Sequence, residues 1–188
     1  MDALTSIHGR RIGLGPADEL LLAGKTVILD NNGVPTPIAQ VGSSKYLAAG
    51  ATKTLTLLDS GKTINLDTLA GSVVTLPAAT GSGAKFKFLV TIVPTSNSHK
   101  IQVPNATDFM IGSILGISDD PATVKGWIAA NSGTVATNSD TITLNRTTTG
   151  GVSKGEWIEV EDVGANTWSV TGVITQTGTE ATPFTAAV

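Results

Sequence analysis

The sequence predicts an all-β protein: an antiparallel β-sandwich or barrel-like domain over residues 41–188, behind an extended N-terminal arm and short hairpin over residues 1–40. Three observations carry this expectation. The chain of 188 residues holds 28 threonines, and β-branched side chains suit a pleated, half-buried surface. From Lys53 onward, short runs with period-2 alternation recur between clusters of Gly, Pro, Asn and Asp, at the spacing of a sandwich or barrel. No window offers the roughly 18 consecutive apolar residues of a membrane helix.

The stretch Gly71–Val93 is the organising one. Val73-Val74-Thr75-Leu76 favours a strand, and Pro77 ends its ladder because it has no N–H to donate. Gly81-Ser82-Gly83 lets the chain reverse before Phe86–Val93, the longest β-branched and aromatic run and the candidate for a central strand.

The remaining elements follow in order. Met1 to about Gly24 mixes isolated apolar residues with Gly and Pro and suits an arm that orders on a partner or, equally, a disordered terminus, and Ala17–Ala23 could make one short helical turn. Lys25–Leu29 reads as a strand and Asp30-Asn31-Asn32-Gly33 as a tight turn. The latter lacks the further acids and final Glu of a calcium loop. Val34–Ile38 is extended, and its prolines place it at an edge.

Lys53–Leu57 and Thr63–Leu66 form an expected hairpin across Asp59-Ser60-Gly61-Lys62. His99–Val103, Val124–Ala129 and Asp140–Leu144 are further strands, and Phe109–Ile117, whose apolar spacing is compatible with a strand pair or a helical turn, is read as strand. Glu156–Glu161 and Thr167–Ile174 make the clearest hairpin, closed by Asp162–Asn166, with Trp168, Val170 and Ile174 on one face.

Composition narrows function. Charged residues are 14% of the chain, against about 25% in an average soluble protein. A surface so thinly charged, with a mean hydropathy of +0.19, points to self-association or docking. Twelve Lys and Arg spread along a chain of net charge −3 form no basic stripe, which argues against nucleic acid as partner. There is no Cys, so thiolate chemistry and disulfides are excluded. Gly, Pro and acids interrupt the run after Arg10-Arg11 before a secretory h-region forms, so the expected place of synthesis is a cytoplasm.

Catalytic and metal patterns are sparse. His8 and His99 are the two histidines, and no Ser has the strand-to-helix setting of an exposed nucleophile. Two separated histidines give no zinc spacing. Asp119-Asp120 with Glu156, Glu159, Glu161 and Asp162 could gather around calcium, but on an alternating strand Glu159 and Glu161 point the same way, and a solvated face is the simpler reading. Gly81-Ser82-Gly83-Ala84-Lys85 lacks phosphate-loop spacing and reads as a turn. Trp127, Trp157 and Trp168 could stack on a sugar, though core or interface packing is the plainer use. No enzyme activity and no cofactor are expected.

Two segments carry a resemblance. Thr5-Ser6-Ile7-His8-Gly9-Arg10-Arg11-Ile12-Gly13-Leu14 resembles the N-terminal arm of small structural proteins of tailed bacteriophages. Val74–Phe86, with Pro94-Thr95-Ser96-Asn97, resembles β-rich domains of phage head decoration proteins and of head or tail fibres. The resemblance implies a capsid decoration, or cement, protein: a homotrimer on the outside of the virion shell, partnered by the major capsid protein, with no membrane and no nucleic acid. It would contact the shell through Ile7, His8, Arg10, Arg11, Ile12 and Leu14. The alternative it implies is a fibre module that recognises a host-surface glycan.

Overall fold

The computed structural model describes residues 21–22, 25–29, 35–37, 45–119, 123–132 and 134–188. The chain divides into two compact units, Met1–Ser43 and Ser44–Val188. In the first unit β1 (Leu21–Leu22), β2 (Lys25–Leu29) and β3 (Pro35–Pro37) make an antiparallel three-stranded sheet in that order. The prolines lie in an end strand, where missing N–H groups disturb no inner ladder. Leu21–Leu22 is a strand and not part of a helical turn, because it pairs with Thr26 and Lys25; the rest of that expected turn lies outside the described residues.

The second unit is all-β, as expected, and its two sheets pack face to face as a sandwich. The strands are β4 (Tyr46–Ala48), β5 (Thr52–Thr54), β6 (Thr63–Leu66), β7 (Val73–Thr75), β8 (Lys85–Val90), β9 (His99–Gln102), β10 (Phe109–Ser118), β11 (Val124–Ile128), β12 (Thr141–Leu144), β13 (Trp157–Gly164), β14 (Thr167–Gln176) and β15 (Phe184–Thr185). One sheet runs β11-β10-β14-β13-β8-β6-β4 and the other β15-β12-β9-β7-β5. Phe86–Val93, expected as the central strand, forms β8, which is shorter than expected and lies inside the sheet but next to its middle strand, β13.

Both sheets are mixed, and here the expected pairing is corrected. Lys53–Leu57 and Thr63–Leu66 are not a hairpin, and Val73–Leu76 does not pair with the strand that follows it. From β4 to β9 the chain alternates between sheets, so β4, β6 and β8 lie parallel in one and β5, β7 and β9 parallel in the other. Each reversal is an arch across the core. The reason is visible at β5–β6, where the connection carries a 3₁₀ turn over Leu57–Asp59 and is too long for a tight two-residue hairpin. Thr56 and Asp59 cap that turn, the Asp59 carboxylate accepting the Thr56 N–H at 3.0 Å and the Lys62 ammonium at 2.9 Å.

After β9 antiparallel pairing takes over. The β13–β14 hairpin forms as expected, with Asn166 in the left-handed region at its turn. The single strand β10 pairs antiparallel with β11 and parallel with β14.

The core follows from the alternation. Ile64, Leu66, Phe86, Phe88, Val90, Ile158, Val160, Trp168, Val170 and Ile174 line the inner side of the larger sheet. Val74, Ile101, Ile142 and Phe184 form one continuous row across the smaller. Phe86 and Trp168 meet with ring centroids 5.9 Å apart, tilted by 49°. Each such side chain contributes about 1.5–3 kcal/mol when fully buried.

One glycine is fixed by close approach. Gly112 on β10 has φ +105°, and a Cβ there would collide with the Val170 carbonyl oxygen on β14. Gly112→Ala is expected to cost at least about 2 kcal/mol through the clash and the forced backbone, whereas Gly50→Ala, at φ +59° with open space around it, should cost about 1–2 kcal/mol. Urea denaturation of both variants tests the ranking.

Candidate functional site

The buried ionisable groups come first, because catalysis or ligand binding would need some of them uncommitted. Asp162 follows Ile158 and Val160 on the inner side of β13 and is 1% exposed. Its carboxylate accepts the N–H groups of Thr80, Gly81 and Ser82 at 2.7–3.1 Å and the Ser82 hydroxyl at 2.7 Å. The Gly81–Gly83 turn does bind an anion, and the anion is the chain's own. Burial raises the Asp162 pKa, but the Ser82 hydroxyl and the three backbone donors outweigh it and hold the carboxyl at about 2.

Glu156 is caged similarly by the N–H groups of Gly151 at 2.7 Å and Ser153 at 2.6 Å, with burial pushing its carboxyl above the ordinary value. Asp108 accepts the Ala79 N–H at 2.8 Å. Asp140 accepts from the Thr141 hydroxyl and from the N–H groups of Ala187 and Val188.

His99 is fully buried. Its Nδ1 accepts the Ser72 N–H at 3.0 Å and its Nε2 lies 2.8 Å from the Ile92 carbonyl. That pairing fixes the neutral tautomer with the proton on Nε2. Burial lowers its pKa, against the opposing pulls of the Ile92 carbonyl and Asp67. Both ring nitrogens are committed to the fold, so neither is placed to serve as a base.

The acids considered for calcium separate. Glu159 and Glu161 lie on the outer face, while Glu156 and Asp162 lie inside in different cages. Among the described residues no group of three or more His, Cys, Asp or Glu could hold a metal ion. The tryptophans also separate. Trp168 is core, Trp157 lies on the outer face of β13 with the Lys87 ammonium 5.2 Å from its ring centroid, and the Trp127 N–H donates to Gln176 Oε1 at 2.7 Å. They form no common stacking platform.

Register builds a surface that the sequence did not reveal. On the outer face of the larger sheet Leu115, Val173, Trp157 and Leu89 stand side by side on β10, β14, β13 and β8. At the β11 end this apolar row widens. Leu115, Ile117, Val124 and Ile128 are 48%, 41%, 64% and 78% exposed. Beside the row runs a charged ladder in which Lys85 pairs with Glu161 at 3.1 Å and Lys87 stands opposite Glu159. Monomers rarely expose large contiguous apolar patches without a use.

Of the residues expected to contact a partner, Ile7, His8, Arg10, Arg11, Ile12 and Leu14 all lie outside the described residues, as do the Asp30–Gly33 turn and Asp120. The Asp162 cage was missed although a signal existed. Asp162 has the parity of Ile158 and Val160, and an acid on the buried side of a strand needs donors. No protein-family model matches this chain, and no curated protein is similar to it.

The caged groups make stability depend on pH in two places. With its carboxyl held at about 2 in the fold and near 3.9 when unfolded, Asp162 contributes stability that is present above pH 4 and lost as pH falls towards 2. By linkage this amounts to roughly 2–3 kcal/mol. Asp162→Asn should flatten that part of an acid-unfolding profile and lower stability at neutral pH. For His99 the folded pKa lies below the unfolded one, so the unfolded chain binds the proton first and stability declines as pH drops through about 6.5. His99→Gln should remove that decline from a chemical-denaturation series between pH 7 and 5.

Proposed function

We propose that this protein is a virion structural protein: a capsid decoration protein that binds the outer surface of the major capsid shell and stabilises it. The observation that carries the reading is the apolar row on the outer face of the larger sheet, in a domain whose buried carboxylates and histidine are already committed to its own main chain. Such an arrangement gives a rigid body with a contact surface, which is what attachment to a shell requires. The arm supplies the second contact. Ile7, Ile12 and Leu14 act as apolar anchors, and Arg10 and Arg11 donate charge-assisted hydrogen bonds to capsid carboxylates, with His8 between them. Repetition over a shell lets weak single contacts add through effective concentration.

Co-sedimentation of the purified protein with undecorated capsids tests this. Saturable binding at fixed stoichiometry with increased heat resistance of the capsids is expected. Leu115→Lys and deletion of residues 1–24 should each lower bound protein at least about tenfold, one lost apolar or charged contact being worth about 1.4 kcal/mol or more. Failure of the unaltered protein to bind would refute the assignment, and undiminished binding by both variants would remove the two surfaces from it.

A further inference from the structure

We propose that the free edge of β11 joins a second copy of this chain, antiparallel and two-fold about Gly126, so that the seven-stranded sheets of two molecules run into one.

The edge is open. β11 is the end strand of its sheet and, among the described residues, bonds to β10 alone. The Thr123 carbonyl and the Ala129 N–H both point to β10. Strand alternation therefore turns the N–H and C=O of Val124, Gly126 and Ile128 the other way. Natural edge strands blunt such a row with proline, a bulge or a projecting lysine. β11 has none of these in effect. It is regular over five residues, and its one lysine, Lys125, is held by Glu180 at 2.7 Å.

Gly126 calls for the partner. Glycine weakens a strand, and it often marks a site where another backbone approaches closely. Nothing among the described residues demands it here. Its φ lies outside the left-handed region, and a Cβ built on it meets nothing within 4 Å.

The residues around it are self-complementary. Two-fold pairing at Gly126 sets Val124 against Ile128 of the second copy, so the two most exposed apolar side chains of the strand cover each other. On the opposite face it sets Lys125 beside Trp127 of the second copy. The Lys125 ammonium stays on Glu180, and its methylene stem packs beside the indole. A register centred on Lys125 would oppose two ammonium groups instead, which is unfavourable. The mutual cover of Val124 and Ile128 thus selects the Gly126 register. This pairing is independent of the capsid reading, and its geometry is two-fold where the phage resemblance implies three copies.

Light scattering and sedimentation velocity of the full-length protein over a concentration series should give a dimer. The double variant Val124→Lys/Ile128→Lys sets lysine against lysine and should weaken association at least about tenfold, with unchanged circular dichroism. Val124→Lys/Ile128→Glu sets lysine against glutamate and should restore the dimer in a salt-sensitive form. Independently, the central pair is a hydrogen-bonded one with Cα atoms about 5.5 Å apart, within disulfide reach. Gly126→Cys in this cysteine-free chain should therefore give a covalent dimer on mild oxidation. A monomer throughout the series, a trimer indifferent to the lysine pair, or no cross-link from Gly126→Cys would each overturn the proposal.

Discussion

The Asp162 carboxylate is the constraint on which much of the sandwich depends. A chain that arches from sheet to sheet leaves the peptide groups of its arches near the core, where donors without partners cost about 1–3 kcal/mol each. Asp162 satisfies those of the arch between β7 and β8. The backbone reinforces the junction: the Asp162 carbonyl accepts from Gly83, its N–H donates to Ala84, and Asn166 donates to Ala79. The arch is thereby fixed to the β13–β14 hairpin, some eighty positions away in the chain. Asp108 adds a further acceptor to the same arch at Ala79, and Glu156 and Asp140 repeat the device elsewhere in the chain. A chain with few charges thus uses several of its acids as internal acceptors, which helps explain why its outer surface is so weakly charged.

Strand identity was legible where β-branched residues alternate between turn signals, and Thr63–Leu66 and the Glu156–Ile174 hairpin show it. Partner choice was not. Asp59–Lys62 and Gly81–Gly83 announce a reversal of direction, but a reversal serves a hairpin and an arch alike. What separates them is whether the apolar faces of both strands are covered from the same side, and that depends on residues far away. Phe109–Ile117 resolved as one long strand because β14 lies parallel along its whole length, a pairing no local pattern encodes.

The outer row was hidden for the same reason. Leu89, Leu115, Trp157 and Val173 are unremarkable singly and become one surface only through the registers of four strands. The committed histidine was equally obscure, since nothing near His99 in sequence announces the Ser72 and Ile92 backbone groups that hold it. The buried acid at Asp162, by contrast, could be read from strand parity alone.

The parallel alliance of β10 and β14 also sets an order of events during synthesis. The arched strands β4 to β9 find one another within a few tens of residues, although β8 also waits for β13, where Trp157 is the register partner of Leu89. Strand β10 has β11 at hand, but its other neighbour begins at Thr167, the register partner of Phe109. At about 5–20 residues per second the ribosome needs several seconds to deliver that neighbour. For that interval one flank of a ten-residue strand rich in Ile, Leu and Met stands uncovered on the nascent chain, a window in which wrong pairing competes with right.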